Sequence, residues 1–296
     1  MIDSHYHLEE SLVSLSGLVR SMDDAGVSRT ALIPAVCPPI GPLPGWARRL
    51  TPYFRRYIHG EKGLRRRAMV AMYAGTVKKD GKVNLFGAKY EIIPQPDNDA
   101  VARAVASRPD RFVGYVWVNP AGPADAVSEA EGGMSQPGMI GVKAHPFWHD
   151  YAVRLLSDTA ALCEEKGRPL LVHLGVKEKG DFRLLPDTFP NLKIIYAHAG
   201  IPYSSEVCRL ARRRNNVFVD LSSSQYVDLP AARKAIEVAG ADKCLFGTDG
   251  PYMHAQDDRF DYSPYLAILN SLRLSDAERE RVGWKNFKEL ADLEEQ

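Results

Sequence analysis

The chain has 296 residues, 45% of them hydrophobic and 25% charged, with a formal net charge of +1. That length suits one α/β barrel of about 250 residues plus an insertion, with ample material for a large core. The near-neutral balance argues against a global pull toward nucleic acid or an anionic membrane, and no apolar run approaches the ~20 residues of a membrane span. Strand-like sequence begins at residue 2, so neither a signal peptide nor a transit sequence is expected. Cys37, Cys163, Cys208 and Cys244 are widely spaced, without a C-x-x-C pair. They read as buried, reduced thiols of a cytoplasmic protein.

Short β-like runs alternate with helical patterns. Residues 2–7 form the first strand, 11–26 carry apolar positions at helical spacing, and RTALIPAV (29–36) is the second strand. Helix 99–108 precedes the third strand, RFVGYVWVNP (111–120), and a helical stretch near 123–131 leads to GMIGVKAHP (138–146). Helix 151–166 is followed by PLLVHLG (169–175) and then by KIIYAHAG (193–200). Helix 204–214 precedes NVFVDLS (216–222), helix 229–239 precedes KCLFGTD (243–249), and 262–273 and 275–293 are helical. From Lys143 onward the strand ends fall at 143, 173, 198, 221 and 249, a spacing that suits one strand, one helix and two short loops.

Eight such units, several with continuously apolar strands, predict a parallel sheet closed into a (β/α)8 TIM barrel, one domain spanning residues 1–296. An open doubly wound sheet usually carries a phosphate-binding turn, and no G-x-G-x-x-G is present. The nearest thing to a P-loop, GTVKKDGKV (75–83), has one residue too many and lacks the Ser/Thr. One region breaks the rhythm. About 75 residues separate the second and third strands, and 37–90 reads as a long insertion at the C-terminal rim, with Pro-fixed turns and one or two helices. A long βα loop on that face is a natural lid or substrate-selecting element. Most of its arginines (Arg48, Arg49, Arg55, Arg56, Arg65, Arg66, Arg67) suit a solvated helix face. Arg55, Arg56 and His59 are the candidates to reach the site, Arg55 as a receiver of a substrate carboxylate.

Five of the eight histidines sit at or just after the ends of predicted strands: His5, His7, His145, His173 and His198, joined there by Lys143 and Asp249. His5 and His7 are two apart and so share one face of a strand. Two imidazoles, a third histidine and an aspartate are a plausible zinc site, since zinc takes imidazole nitrogen and carboxylate oxygen at ~2.0–2.2 Å. An isolated H-x-H is a weak signal. Joined to histidines and an aspartate on later strand ends, it is a strong one, because a barrel assembles its site from those ends.

The motifs DSHYH (3–7), GVKAHP (141–146), PLLVHLG (169–175), FPNLKIIYAHAG (189–200), VFVDLS (217–222), LFGTDGPY (245–252) and Asn286-Phe287 resemble the amidohydrolase superfamily. The likeness is to the branch of metal-dependent hydrolases and aminocarboxymuconate- and resorcylate-type decarboxylases, and it covers most of the chain outside 37–90. It implies that His5, His7, His173 and Asp249 hold one divalent ion, zinc being the expected one. It gives His198 and Asp249 the handling of the attacking water or of charge on the substrate. Lys143 ends the fourth strand, where other branches carry a carbamylated lysine bridging two metals; His173 and His198 would then hold the second. Without carbamylation, Lys143 is expected to pair with Asp or with a substrate carboxylate.

His145 and Tyr252 are read as substrate contacts, and Phe147, Trp148 and Tyr203 as pocket lining or loop packing. Asp3, Gly247 and Thr248 are read as partners that fix ligand orientation. The expected reaction is hydrolysis of a C–O or C–N bond in a small organic acid derivative (lactone, ester or amide). Non-oxidative decarboxylation of an aromatic or unsaturated carboxylate is the alternative, and a non-catalytic metal- or ligand-binding barrel the third reading. The expected partner is a small carboxylate-bearing substrate, with neither nucleic acid nor membrane, and a homodimer is the expected assembly.

Overall fold

The computed structural model describes residues 1–40, 44–60, 63–78, 81–85 and 87–293. Eight parallel strands run in chain order around one sheet. They are β1 (Ile2–Leu8), β2 (Arg29–Pro34), β3 (Phe112–Val118), β4 (Met139–Ala144), β5 (Leu170–Val172), β6 (Ile194–Tyr196), β7 (Val217–Asp220) and β8 (Cys244–Leu245). Strand 8 is far shorter than the predicted 243–249. Beyond Leu245 the chain still follows β1: Ser4 N–H donates to the Phe246 carbonyl (3.0 Å), His7 N–H to Gly250 (2.8 Å), and Asp249 N–H to His5 (2.7 Å). These bonds draw the eighth strand end against the first and nearly close the barrel.

Side-chain alternation divides the core into two layers. Ala31, Ile33, Val113, Tyr115, Ile140, Leu171, Ile195 and Leu245 point inward, and Phe287 and Leu290 of the C-terminal segment pack against them. The opposite faces, including Leu32, Val116, Val142, Val172 and Tyr196, pack beneath the surrounding helices. Bulges after Asp3 in β1 and between Met139 and Gly141 in β4 reset that alternation, and beyond them it places the inward residues at the C-terminal strand ends around one mouth.

The helices begin where capping chemistry allows. Ser14 caps α1 (Leu15–Ala25), which Gly26 ends at φ 67°. Asp97 caps α4 (Asn98–Ser107), Asp125 caps α5 (Ala126–Met134), and Asp228 caps α9 (Leu229–Ala239). In each case the side-chain oxygen accepts an otherwise unpaired first-turn N–H. α6 (Ser157–Glu165) is preceded by a 3-10 turn at Val153–Leu156, and α8 is Ser204–Arg213. The short α7 (Leu184–Thr188) had no sequence signal beyond a few apolar residues. The predicted helix 275–293 is three pieces, Asp276–Glu280, a π turn at Arg281–Lys285, and Asn286–Leu290.

The insertion holds α2 (Gly45–Ile58), α3 (Leu64–Ala74) and a hairpin of Lys82–Leu85 with Ala88–Glu91 that the sequence did not suggest. Residues 41–43, 61–62, 79–80 and 86, within the predicted turns and the discarded loop, lie outside the described residues. The insertion docks through a small apolar seam in which Ile58 and Tyr73 meet Phe147 and Ile201 of the loops after β4 and β6. Polar contacts reinforce it. Arg55 donates to the Ser224 carbonyl (2.7 Å), Arg66 to that of Pro202 (2.8 Å), and His59 bonds Ser204 Oγ and the Tyr226 carbonyl, both at 2.7 Å. No helix among the described residues is long and apolar enough to cross a membrane.

Candidate metal centre and active site

The mouth of the barrel is a cavity lined by His5, His7, Lys143, His145, His173, His198 and Asp249, with Tyr252 among its aromatic walls. All seven side chains of that polar set come from strand ends, and only Asp249 is appreciably exposed, at 21%. Val36, Ile40, Leu85, Trp148, Tyr226 and Tyr265 also line it, with Ser223, Gln225 and Met253, Ile40 and Leu85 being supplied by the insertion.

Hydrogen-bond partners settle where the ring protons lie. His7 Nδ1 is 2.9 Å from the Pro34 carbonyl, which can only accept, so Nδ1 carries the proton and Nε2 of the neutral ring keeps its lone pair. His5 Nδ1 donates to Asp220 Oδ2 at 2.9 Å, leaving Nε2 bare in the same way. Asp249 Oδ1 lies 3.2 Å from His5 Nε2 and 3.4 Å from His7 Nε2. Two lone pairs and a carboxylate oxygen therefore converge with no proton of their own between them. These three residues form a compact group whose ligand atoms all lie within 4.8 Å of one another. Such a donor set fits a divalent cation, and a carboxylate, as Asp220 behind His5, or a backbone carbonyl, as Pro34 behind His7, is the usual brace of a ligating imidazole.

His173 sits one ring farther out. Its Nδ1 is 3.1 Å from His198 Nε2, its ring stacks on His145 at 4.0 Å, and it is not part of the compact trio. His198 Nε2 is 4.0 Å from Asp249 Oδ2, so the two oxygens of Asp249 face different partners. A second compact group, His5, His198 and Asp220, is a hydrogen-bonded brace, because His5 Nδ1–H already occupies Asp220.

Burial dominates the electrostatics. It pushes His5 down to about 4, helped by the Lys143 charge, and holds His173 and His145 well below the ordinary histidine value. It also lowers Lys143 to about 8 against the pull of Asp220 and Asp249. Burial would raise Asp249 and Asp220, yet both stay below the usual carboxylate range: His198, His7 and His5 surround the first, and His5, His198 and Ser222 the second. The site is thus electron-rich, with the neutral imidazoles of His5, His145, His173 and His198 and ionised carboxylates around one buried amine. Lys143 Nζ is 3.5 Å from His5 Nε2. Asp249 (φ 61°) and His198 (φ 55°) both occupy the left-handed region, a conformation that costs about 1–2 kcal/mol per residue and concentrates at functional sites.

Of the predicted residues, His145 and Tyr252 line the cavity. Asp3 accepts from Thr248 N–H (3.0 Å) and Oγ1 (2.6 Å) and so ties β1 to the turn that carries Asp249. Arg55 is not among the lining residues. Its guanidinium is taken up by the Ser224 carbonyl and by Asp228 at 3.7 Å, so it serves to dock the insertion. His149 accepts from the Trp117 indole at 3.1 Å, and His59 is buried in the docking seam.

Three residues escaped the sequence reading. Asp220 braces His5 and accepts the His198 backbone N–H at 2.8 Å; Ser222 meets His198 Nδ1 at 2.8 Å; Tyr73 of the insertion meets His173 Nε2 at 2.8 Å. The first two lie in VFVDLS, where a buried Asp at a strand end was the available signal. Tyr73 had none.

A family model described as Amidohydrolase matches residues 2–290. Among solved structures, the chain is similar to 2,6-dihydroxybenzoate decarboxylase from Rhizobium, at 16% identity over 99% of this chain and 98% of that one, with a TM-score of 0.57. It is similar to a dihydroxybenzoic acid decarboxylase from Polaromonas with bound manganese and 2-nitroresorcinol, at 18% identity over 100% and 97%, with a TM-score of 0.56. A probable 2-pyrone-4,6-dicarboxylic acid hydrolase from Acinetobacter baumannii matches at 12% identity over 99% of each chain, with a TM-score of 0.59. At these identities the likeness carries the fold alone. A search of the curated proteins returns no match.

Proposed function

The chain belongs to the amidohydrolase family of metal-dependent TIM-barrel enzymes, and on that footing we propose that it decarboxylates a small aromatic carboxylate without an oxidant. The observation that carries this reading is the cavity itself. A buried ammonium, Lys143, 3.5 Å from His5 Nε2, lines the same cavity as Asp249, beneath walls formed by Trp148, Tyr226, Tyr252 and Tyr265. A flat apolar ring bearing one anionic group matches that combination of rings and charge.

His5, His7, His173 and Asp249 are the proposed ligands of one divalent ion, zinc by the softness of three imidazoles and one carboxylate. When bound, such an ion polarises and neutralises the anionic oxygens of a substrate. The protein groups supply the rest. Lys143 receives the carboxylate, and His145 and Tyr252 contact the ring. Asp249, ionised at rest, takes a proton by way of His198 and, through the oxygen that faces His198, delivers it to the ring carbon bearing the carboxylate. The bond to that carboxylate then breaks, its electron pair restores the ring, and CO2 leaves. His198 passes a replacement proton from water to Asp249. The insertion keeps bulk water from this exchange, which strengthens every charge interaction inside.

Hydrolysis is the second reading. It is favoured by the same Asp249–His198 pair, which suits the activation of water, and by the hydrolase among the fold neighbours. A panel of hydroxybenzoates, muconate-like acids and pyrone lactones in D2O separates the two. Decarboxylation releases CO2 and leaves one deuterium on the vacated ring carbon, whereas hydrolysis releases acid and no CO2. Asp249→Asn should abolish turnover in a folded protein, and retained activity on a true substrate would refute its role.

A further inference from the structure

We propose that Tyr73, carried on the insertion, is a positioning residue that sets the tautomer of His173 and so couples docking of the insertion to assembly of the site. Its hydroxyl is buried and lies 2.8 Å from His173 Nε2 and 2.8 Å from the Leu174 carbonyl. A phenol has one proton to give. A carbonyl accepts only, so the Tyr73 proton goes to Leu174, and the remaining lone pair must face an N–H. His173 therefore carries its proton on Nε2. The reverse assignment would leave two bare oxygens at 2.8 Å from each other, a buried pair with no proton between them.

The ring planes of Tyr73 and His173 are within 3° of parallel. The Tyr73 ring is itself held, stacked on Phe147 with centroids 4.1 Å apart.

The consequence appears at the other nitrogen. With Nε2 protonated, Nδ1 of neutral His173 is bare and faces inward, 3.1 Å from His198 Nε2. That nitrogen is bare as well, because Ser222 donates to Asp220 and takes the His198 proton on Nδ1. The one link of this series left without a proton is then the pair of nitrogens at the cavity, where a cation would fit, and not the pair of oxygens behind it. Without Tyr73 nothing else recorded around His173 Nε2 would hold the proton there. The ring would be free to put it on Nδ1, where it would block the inward lone pair. A residue some 100 positions away in the chain thus decides which nitrogen the β5 histidine offers.

The tautomer step is independent of the proposed reaction; the metal arm rests on the reading of His173 as a ligand. The test uses the full chain. In metal-free protein, long-range ¹H–¹⁵N spectra of the histidine rings should show His173 protonated at Nε2. Tyr73→Phe keeps the stack on Phe147 and should lose that pattern. Hydrogen exchange of α3 should stay protected in this variant, which a merely structural role for the hydroxyl would not predict. Titration with Zn2+ alone should give a dissociation constant weakened about 10- to 100-fold, the usual cost of removing the group behind a ligating histidine. A His173 proton on Nδ1 in the wild type, or an unchanged tautomer in the variant, overturns the proposal. A wild type that binds no Zn2+ refutes the ligand reading instead, and the ring spectra still decide Tyr73.

Discussion

Asp220→Asn tests the brace beneath the proposed metal centre. Asp220 is fully buried and accepts four hydrogen bonds: from His5 Nδ1 at 2.9 Å, from the backbone N–H groups of His198 and Ser222 at 2.8 and 3.1 Å, and from the Ser222 hydroxyl. Asparagine has the same shape. Its carbonyl must stay on the oxygen position that serves the two backbone donors, so its NH2 is forced toward His5 Nδ1. His5 must then move its proton to Nε2, where it meets Asp249 Oδ1 now 3.2 Å away. One ligand lone pair is lost to the site while every other contact is kept. The metal dissociation constant should rise about 10- to 100-fold. Exchanging charge-assisted for neutral hydrogen bonds should cost about 1–2 kcal/mol of stability. Competition against a chromophoric chelator measures the first quantity, and denaturant unfolding of the metal-free protein the second. An Asp220→Asn protein that unfolds normally and binds metal as tightly as the wild type would refute the tautomer argument.

Other outcomes follow from the same geometry. His59 is buried in the docking seam with its value lowered to about 4 from 6.5, burial being the chief cause, with Asp228 opposing and Lys234 adding to it. Because the docked form resists protonation, its stability is complete above pH 6.5 and declines by up to about 3 kcal/mol as pH falls toward 4. Hydrogen exchange of α2 and α3 should record the loss across that window, and protection unchanged at pH 4.5 would refute it. Lys143→Met should keep one bound metal yet lower kcat/KM on a carboxylate substrate by about 10- to 150-fold, the worth of a buried charged hydrogen bond. A wild type with two metals, reduced in the variant, would instead support a carbamylated bridge. Gly141→Ala should destabilise the barrel by about 1–3 kcal/mol in denaturant titration, since the added Cβ would lie 2.3 Å from the Pro169 carbonyl oxygen of the neighbouring strand.

How much was legible in the chain follows from the range of each signal. The βα rhythm, the shared face of His5 and His7, and the placement of Lys143, His173 and His198 at strand ends depend on local periodicity. A period of two and a short connection length operate within ten or twenty residues, so these features could be read without coordinates. Asp249 was found as a strand-end residue, although β8 stops at Leu245 and Asp249 reaches the mouth by hydrogen bonds to β1.

Tertiary structure alone decided which nitrogen each imidazole offers, because the proton is placed by partners distant in sequence: Pro34 for His7, Asp220 for His5, Tyr73 for His173. It also decided that Arg55 docks the insertion and is kept from the substrate cavity, since a guanidinium takes whichever acceptors the fold brings near, here Ser224 and Asp228. Residue types and their spacing thus determined a metal-type site in a barrel. The protonation pattern and the grip of the insertion on that site came from contacts that exist only once the chain has closed.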